Sequence, residues 1–359
     1  MKNLSFFLFS AVILGISAFD TCPRESCEDS CKNRCGKKLD KSYGCQCNPH
    51  CERFGDCCKD YHLCLYADPS SNEVIQPIDE PGKDISNEEI KAMSEKIYEL
   101  DENRAEDSDI ILNKQNAAER TGNKEDLCDE PLYKYVNEEI LSRPTYKAFI
   151  ELTNNYVRKT GTDEEYTPEE IKEQEHFLKE IMKTKLMKEL YMFFHKKEMY
   201  KTEKEFVDDL QKMWFGLYSR SSGEADSSGF EHVFVGEVKK GKVSGFHSWI
   251  RFYLLEKEGL MDYYSYNYDG PWTSYPDVLG KQFHWDGFFK EVGSQFIGSS
   301  PEFDFSLYSL CFISRPGKLC KIRLGGHELG IQTYEWTKST YPNGKKYIAT
   351  AYPVVSTSM

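Results

Sequence analysis

Gly229-Phe-Glu-His-Val-Phe-Val-Gly-Glu237 marks where one architecture gives way to another. Phe230, His232 and Phe234 alternate with Glu231, Val233 and Val235, a period of two that predicts a strand. On an ideal strand Glu231 and Glu237 face away from the His232 imidazole, although a bulge at Gly236 would bring Glu237 round. Downstream, residues 261–269, 319–324, 330–336 and 346–354 also read as strands. Phe246, Trp249, Ile250, Tyr253 and Leu254 follow helical spacing, with Ser244 as N-cap and His247 in the first turn. Residues 301–313 are ambiguous, with Ser300-Pro301 as a helix start.

Upstream the texture is helical. Ser86 and Glu89 form a capping box, with Ile85 and Ile90 placed as a hydrophobic staple. Ile90, Met93, Ile97 and Leu100 continue one face. Thr167-Pro-Glu-Glu170 is a second start, with proline in the first helical position. Residues 171–217 predict two helices broken near Tyr200-Lys-Thr202, their Met, Phe and Leu stripe serving the core. The expected class is α+β: a helical part, then antiparallel sheets with one or two helices inserted.

The N-terminus is different again. Residues 1–18 combine a cationic start, a short apolar run and small residues, a signal peptide too short for a stable membrane span. No later stretch is apolar enough to cross a bilayer, so secretion is expected. Of the 13 cysteines, ten fall between Cys22 and Cys64. That density suits a disulfide-stapled module, and the secretory route favours disulfides over zinc. Cys31, Cys35, Cys45, Cys47, Cys51, Cys57, Cys58 and Cys64, with a C-x-C and a vicinal pair, resemble the somatomedin-B module of extracellular proteins. Cys22 and Cys27 lie outside that pattern, where an extra bridge would fit. Spacing leaves the connectivity open. The resemblance implies either a protein-docking module with an extracellular partner or an inert stabilising appendage. Residues 19–66 make this module, 67–84 a proline- and acid-rich linker, and 85–359 the main domain. Cys311 and Cys320 are placed to pair across the turn at Arg315-Pro-Gly317, and the odd cysteine total leaves a thiol such as Cys128 over.

A net charge of -13 argues against a general nucleic-acid coat protein. The excess is uneven, because residues 229–359 hold 14 Lys and Arg against 13 Asp and Glu. An acidic total is thus compatible with a short, local footprint on a polyanion.

His232, His247 in Ser244-Gly-Phe-His-Ser-Trp-Ile250, and Lys290 in Trp285-Asp-Gly-Phe-Phe-Lys-Glu-Val-Gly293 are the candidate chemical groups. Two imidazoles and a fixed cation suffice to cleave RNA: one takes the 2′-OH proton, one protonates the departing 5′-oxygen, and the ammonium steadies the phosphorane. A helix start at His247 would favour a bound anion and a neutral imidazole. His327 reads as a turn histidine. Glu231, His232, Glu237 and His247 make a mixed ligand set for manganese, yet no compact zinc motif and no Gly-x-Ser-x-Gly occurs.

These flanks, with residues 290–303 and the closing Tyr347-Ile-Ala-Thr-Ala-Tyr-Pro353, resemble the EndoU endoribonucleases, including the placental protein 11 type that also carries somatomedin-B modules. The resemblance runs from about residue 85 to the C-terminus. It implies His232, His247 and Lys290 as catalytic, Glu231 and Glu237 as supporting carboxylates, and Thr350 and Tyr352 as the groups that read and stack on uracil. Ser248 stands where that family commonly has asparagine. Further implications are a monomer acting on single-stranded, uridine-containing RNA to leave a 2′,3′-cyclic phosphate. A divalent cation, manganese or calcium, would activate rather than bind tightly in the chemical step. The competing reading is an extracellular adhesion or binding protein with a non-catalytic EndoU domain; a metallohydrolase is a third.

Overall fold

The computed structural model of this chain describes residues 84–354 apart from 120–123, 222 and 224, and positions 31, 34, 38, 43, 45–48, 51 and 56–58. The expected signal peptide, the bridge between Cys22 and Cys27, and all of the linker but Asp84 lie outside the described residues. The chain divides into two compact units, Met1–Ile78 and Asp79–Met359. In the first, Cys31–Cys47, Cys45–Cys58 and Cys51–Cys57 are bonded around a small core of buried sulfurs.

The second unit opens with α1 (Asn87–Glu99), whose Ser86 hydroxyl accepts from the Glu89 amide while Glu89 accepts from the Ser86 amide. Strands β1 (Ile110–Leu112) and β2 (Tyr133–Val136) pair, and α2 (Pro144–Leu152) follows. Thr167 and Glu170 cap α3 (Pro168–Ile181) reciprocally. Residues 171–217 then differ from expectation: α4 (Lys185–Lys196) and α5 (Glu203–Phe215) make three helices in all. The break at Thr202 is where sequence puts it. The additional one falls at Thr184, which caps α4, and the apolar stripe runs through it from Ile181 to Leu186 without a gap.

Antiparallel sheets dominate the rest. A hairpin of β3 (Glu237–Lys239) and β4 (Lys242–Ser244) precedes α6 (Trp249–Lys257). Strands β5 (Met261–Asp269), β6 (Asp277–Trp285) and β7 (Phe288–Ile297) form one sheet in that order. After α7 (Pro301–Ser314), β8 (Leu319–Leu324), β9 (His327–Glu335) and β10 (Ile348–Val354) form a second, with β9 central. The first strand pattern missed β6 and β7, since β6 buries Gly280, Lys281 and Gln282 in sequence and shows no polar–apolar alternation.

The ambiguous 301–313 segment is α7, capped by Ser300. It packs against α1, α2, α4 and the β8–β10 sheet, so it is buried on nearly every face. A helix surrounded on all sides has no stripe to reveal it. Cys311 and Cys320 are bonded as spacing suggested, and Cys128 is free and buried. Among the described residues no helix is long and apolar enough to cross a membrane.

Candidate active site

Residues 231–235 form a π-helical turn, not a strand. The Gly236 amide donates to the Glu231 carbonyl at 2.8 Å, and the His232 amide donates to the Ser228 carbonyl at 3.1 Å. The alternation was uninformative because every side chain from Phe230 to Val235 is buried, Phe230 against Phe215 and Phe234 against Trp214. Gly236 ends the turn at φ 87°, a left-handed conformation that favours glycine. The reversal returns Glu237 beneath the histidine, and its Oε2 lies 2.6 Å from His232 Nδ1.

Gly245 lies next to the same histidine. A Cβ there would fall 1.7 Å from the His232 carbonyl oxygen, and its φ of 68° disfavours any side chain. Phe246 also has positive φ and its amide donates to the His232 carbonyl, so no helix begins at that point. Ser244 belongs to the hairpin, paired with Glu237, and Ser248 is the N-cap of α6. Asparagine caps about as well as serine, so Ser248 keeps the local structure. His247 therefore precedes the helix. Its Nδ1 lies 2.6 Å from the Ser294 carbonyl of β7, and its ring stacks on Tyr352 with centroids 5.1 Å apart.

Lys290 comes from β7, opposite Phe283, and Nζ donates to the Gly245 carbonyl at 2.8 Å. Thr350 and Tyr352 share one face of β10, which lies beside β7 and the π-turn. Together His232, Gly245, His247, Lys290, Ser294, Thr350 and Tyr352 line a cleft of about 360 Å³.

Burial sets the protonation states. A carbonyl can only accept, so His247 holds its proton on Nδ1 and keeps a lone pair on Nε2. Burial first, then Lys290, holds this imidazole well below its usual pKa. His232 is lowered to about 4 by burial and then Arg220, with Glu237 opposing. Burial pushes the Glu237 carboxyl up, but His232 and Arg220 outweigh it and leave it below its usual value. Burial lowers Lys290 to about 8.

A family model described as "Endoribonuclease XendoU" matches residues 89–353, and one for the somatomedin B domain matches residues 29–65. The chain belongs to the XendoU endoribonuclease family. The chain is 60% identical over 334 residues to a uridylate-specific endoribonuclease of Homo sapiens, covering 92% of this chain and 80% of that one. A uridylate-specific endoribonuclease of Paralichthys olivaceus is 51% identical over 360 residues, covering 90% of this chain and 94% of that one. The solved structure of XendoU, described as a snoRNA-processing endoribonuclease, is similar with a TM-score of 0.62 and 36% identity. That match covers 75% of this chain and 97% of the solved one.

Within this XendoU-family fold, five of the seven residues singled out in the sequence line one cleft, and Glu237 supports it from below. Glu231 stands apart: fully buried, outside the cleft and beside the Glu164 carboxyl. Burial, then Glu237 and Glu164, holds it well above the usual carboxylate pKa. The mixed metal set of Glu231, His232, Glu237 and His247 does not fit either. Neither Glu231 nor Glu237 lines the cleft, and Glu237 Oε2 is taken by His232 Nδ1. Among the described residues, the only three donors converging within 4.8 Å are Cys31, Cys47 and Cys58, all disulfide-bonded. Sequence reasoning missed Arg220, Ser294 and the Gly245 carbonyl. The last two act through backbone atoms, which leave no side-chain signal.

Proposed function

We propose that the chain is a uridylate-specific endoribonuclease that cleaves single-stranded RNA by attack of the 2′-OH, leaving a 2′,3′-cyclic phosphate. The observation that carries this reading is one cleft holding two imidazoles with Nδ1 committed and an amine fixed beside them. His247, neutral with Nε2 unprotonated, is the general base for the 2′-OH. His232 is the general acid for the 5′-oxygen, because the Glu237 carboxylate stabilises its imidazolium. Both imidazoles sit low in the free cleft; a bound phosphodiester anion raises them, most of all the one already facing a carboxylate. Lys290, charged at neutral pH, stabilises the phosphorane. Water takes no part in this step, so the reaction is formally a lyase.

Thr350 offers a hydroxyl to a uracil carbonyl, and Tyr352, one face against His247, offers its other face to the ring. Relatives named as uridylate-specific support the base assignment. The chain's residues supply both proton transfers, so a divalent cation, manganese or calcium, enters as an activator outside the chemical step. Secretion as a monomer, with the somatomedin-B module docking an extracellular protein, completes the reading.

The test is a DNA oligonucleotide with one ribouridine. It should be cut at that nucleotide, and the all-deoxy version should remain whole. Equal cleavage of the two would refute 2′-OH attack.

A further inference from the structure

Arg220 sits between the two halves of the cleft without lining it. Its side chain is 8% exposed. Nε donates to Ser227 Oγ at 2.8 Å and lies 3.4 Å from Glu237 Oε2, the oxygen that also meets His232. Nη2 donates to the Ala349 carbonyl of β10 and to the Tyr218 hydroxyl. That hydroxyl in turn donates to the Ile348 carbonyl at 2.8 Å. Two successive carbonyls of β10, just ahead of Thr350, are thereby held from one short segment. The Tyr218 ring stacks on Trp336 at 4.7 Å, and the guanidinium lies 5.2 Å and 5.5 Å from those two rings.

We propose that Arg220 is a positioning residue that couples the general acid His232, through Glu237, to the strand that reads the base. The inference rests on the cleavage reading above. Its physical basis is the planar fork of the guanidinium, whose donors diverge at fixed angles toward a carboxylate on one side and a carbonyl on the other. An ammonium supplies charge but cannot hold both directions at once. A shift of β10 relative to His232 would move base and scissile phosphate out of register, and displacements near 1 Å cost roughly a hundredfold in rate.

Arg220→Lys and Arg220→Met separate charge from geometry. Two readouts suffice: cleavage of oligonucleotides with U or C at the scissile position, and the His232 titration followed by NMR. Arg220→Met should raise the His232 pKa, because the cation that disfavours imidazolium is gone while Glu237 remains. It should also lower kcat roughly tenfold to a hundredfold and narrow the preference for U over C. Arg220→Lys should narrow that preference while leaving the His232 titration near wild type. A purely structural role would move neither the titration nor the base ratio. Should Arg220→Met not fold, Arg220→Lys and Tyr218→Phe, which removes only the hydroxyl contact, decide the same comparison. Variants with wild-type kcat, pH profile and U-to-C ratio would overturn the inference. A wild-type chain that cleaves nothing sinks the cleavage reading, and the His232 titration then still decides whether Arg220 acts on the acid.

Discussion

At the residue scale, His232, His247 and Lys290 share the cleft but are held by different acceptors: a carboxylate, a carbonyl of β7 and a carbonyl beside His232. On the proposed mechanism each of them meets the substrate, so His232→Ala and Lys290→Ala should each lower cleavage by roughly 10²–10⁴-fold. Neither supports the core, and the thermal transition should stay nearly unchanged; a large fall in Tm would recast both as structural. Lys290 also predicts an alkaline limb. With its pKa lowered to about 8, the amine loses its charge as pH rises through that value, and kcat/KM should decline there. A profile flat to pH 10 would remove the lysine from the step. The trio was legible in sequence because each residue lies in a distinctive flank. Glu237 was placed only conditionally, since its approach depends on the reversal at Gly236, and Glu231, expected to face away from the imidazole, is buried outside the cleft.

At the element scale, close approaches between the turn, the β3–β4 hairpin and α7 determine the site. Gly245→Ala would place a Cβ into the His232 carbonyl at positive φ, costing roughly 1–3 kcal/mol and displacing the acid. Calorimetry and cleavage should fall together; an active, equally stable variant would contradict the packing. Where α1 ends, buried Asp101 accepts from the Ser300 amide at the start of α7. Burial, then Glu302, raises its carboxyl to about 7. A raised carboxyl stabilises the fold fully below its unfolded pKa and loses that contribution as pH climbs through the folded one. Asp101→Asn, which mimics the protonated acid, should therefore raise Tm relative to wild type at pH 8 more than at pH 5. The opposite order would show the carboxylate to be ionised. Capping chemistry at Ser86, Thr167 and Ser300 made the helix starts readable. Segments buried on every face were not legible: the alternation in 229–235 suggested a strand where a π-turn stands, and β6 and α7 carried no periodic signal.

At the scale of the whole molecule, helices first and antiparallel sheets after was the order the sequence implied, and α7 at the centre explains why both parts share one core. The disulfide module is a unit of its own, so cleavage should be a property of the second unit. On the proposed mechanism both proton transfers belong to side chains of the cleft, so chelating divalent cations should slow turnover without altering the products. The decisive measurement is mass-spectrometric identification of the new 3′ ends on a uridine-containing oligonucleotide. The expected ends are 2′,3′-cyclic phosphates following uridine, absent with His247→Ala; linear 3′-phosphates at all bases from the earliest time point, with no cyclic species, would contradict 2′-OH attack by this cleft.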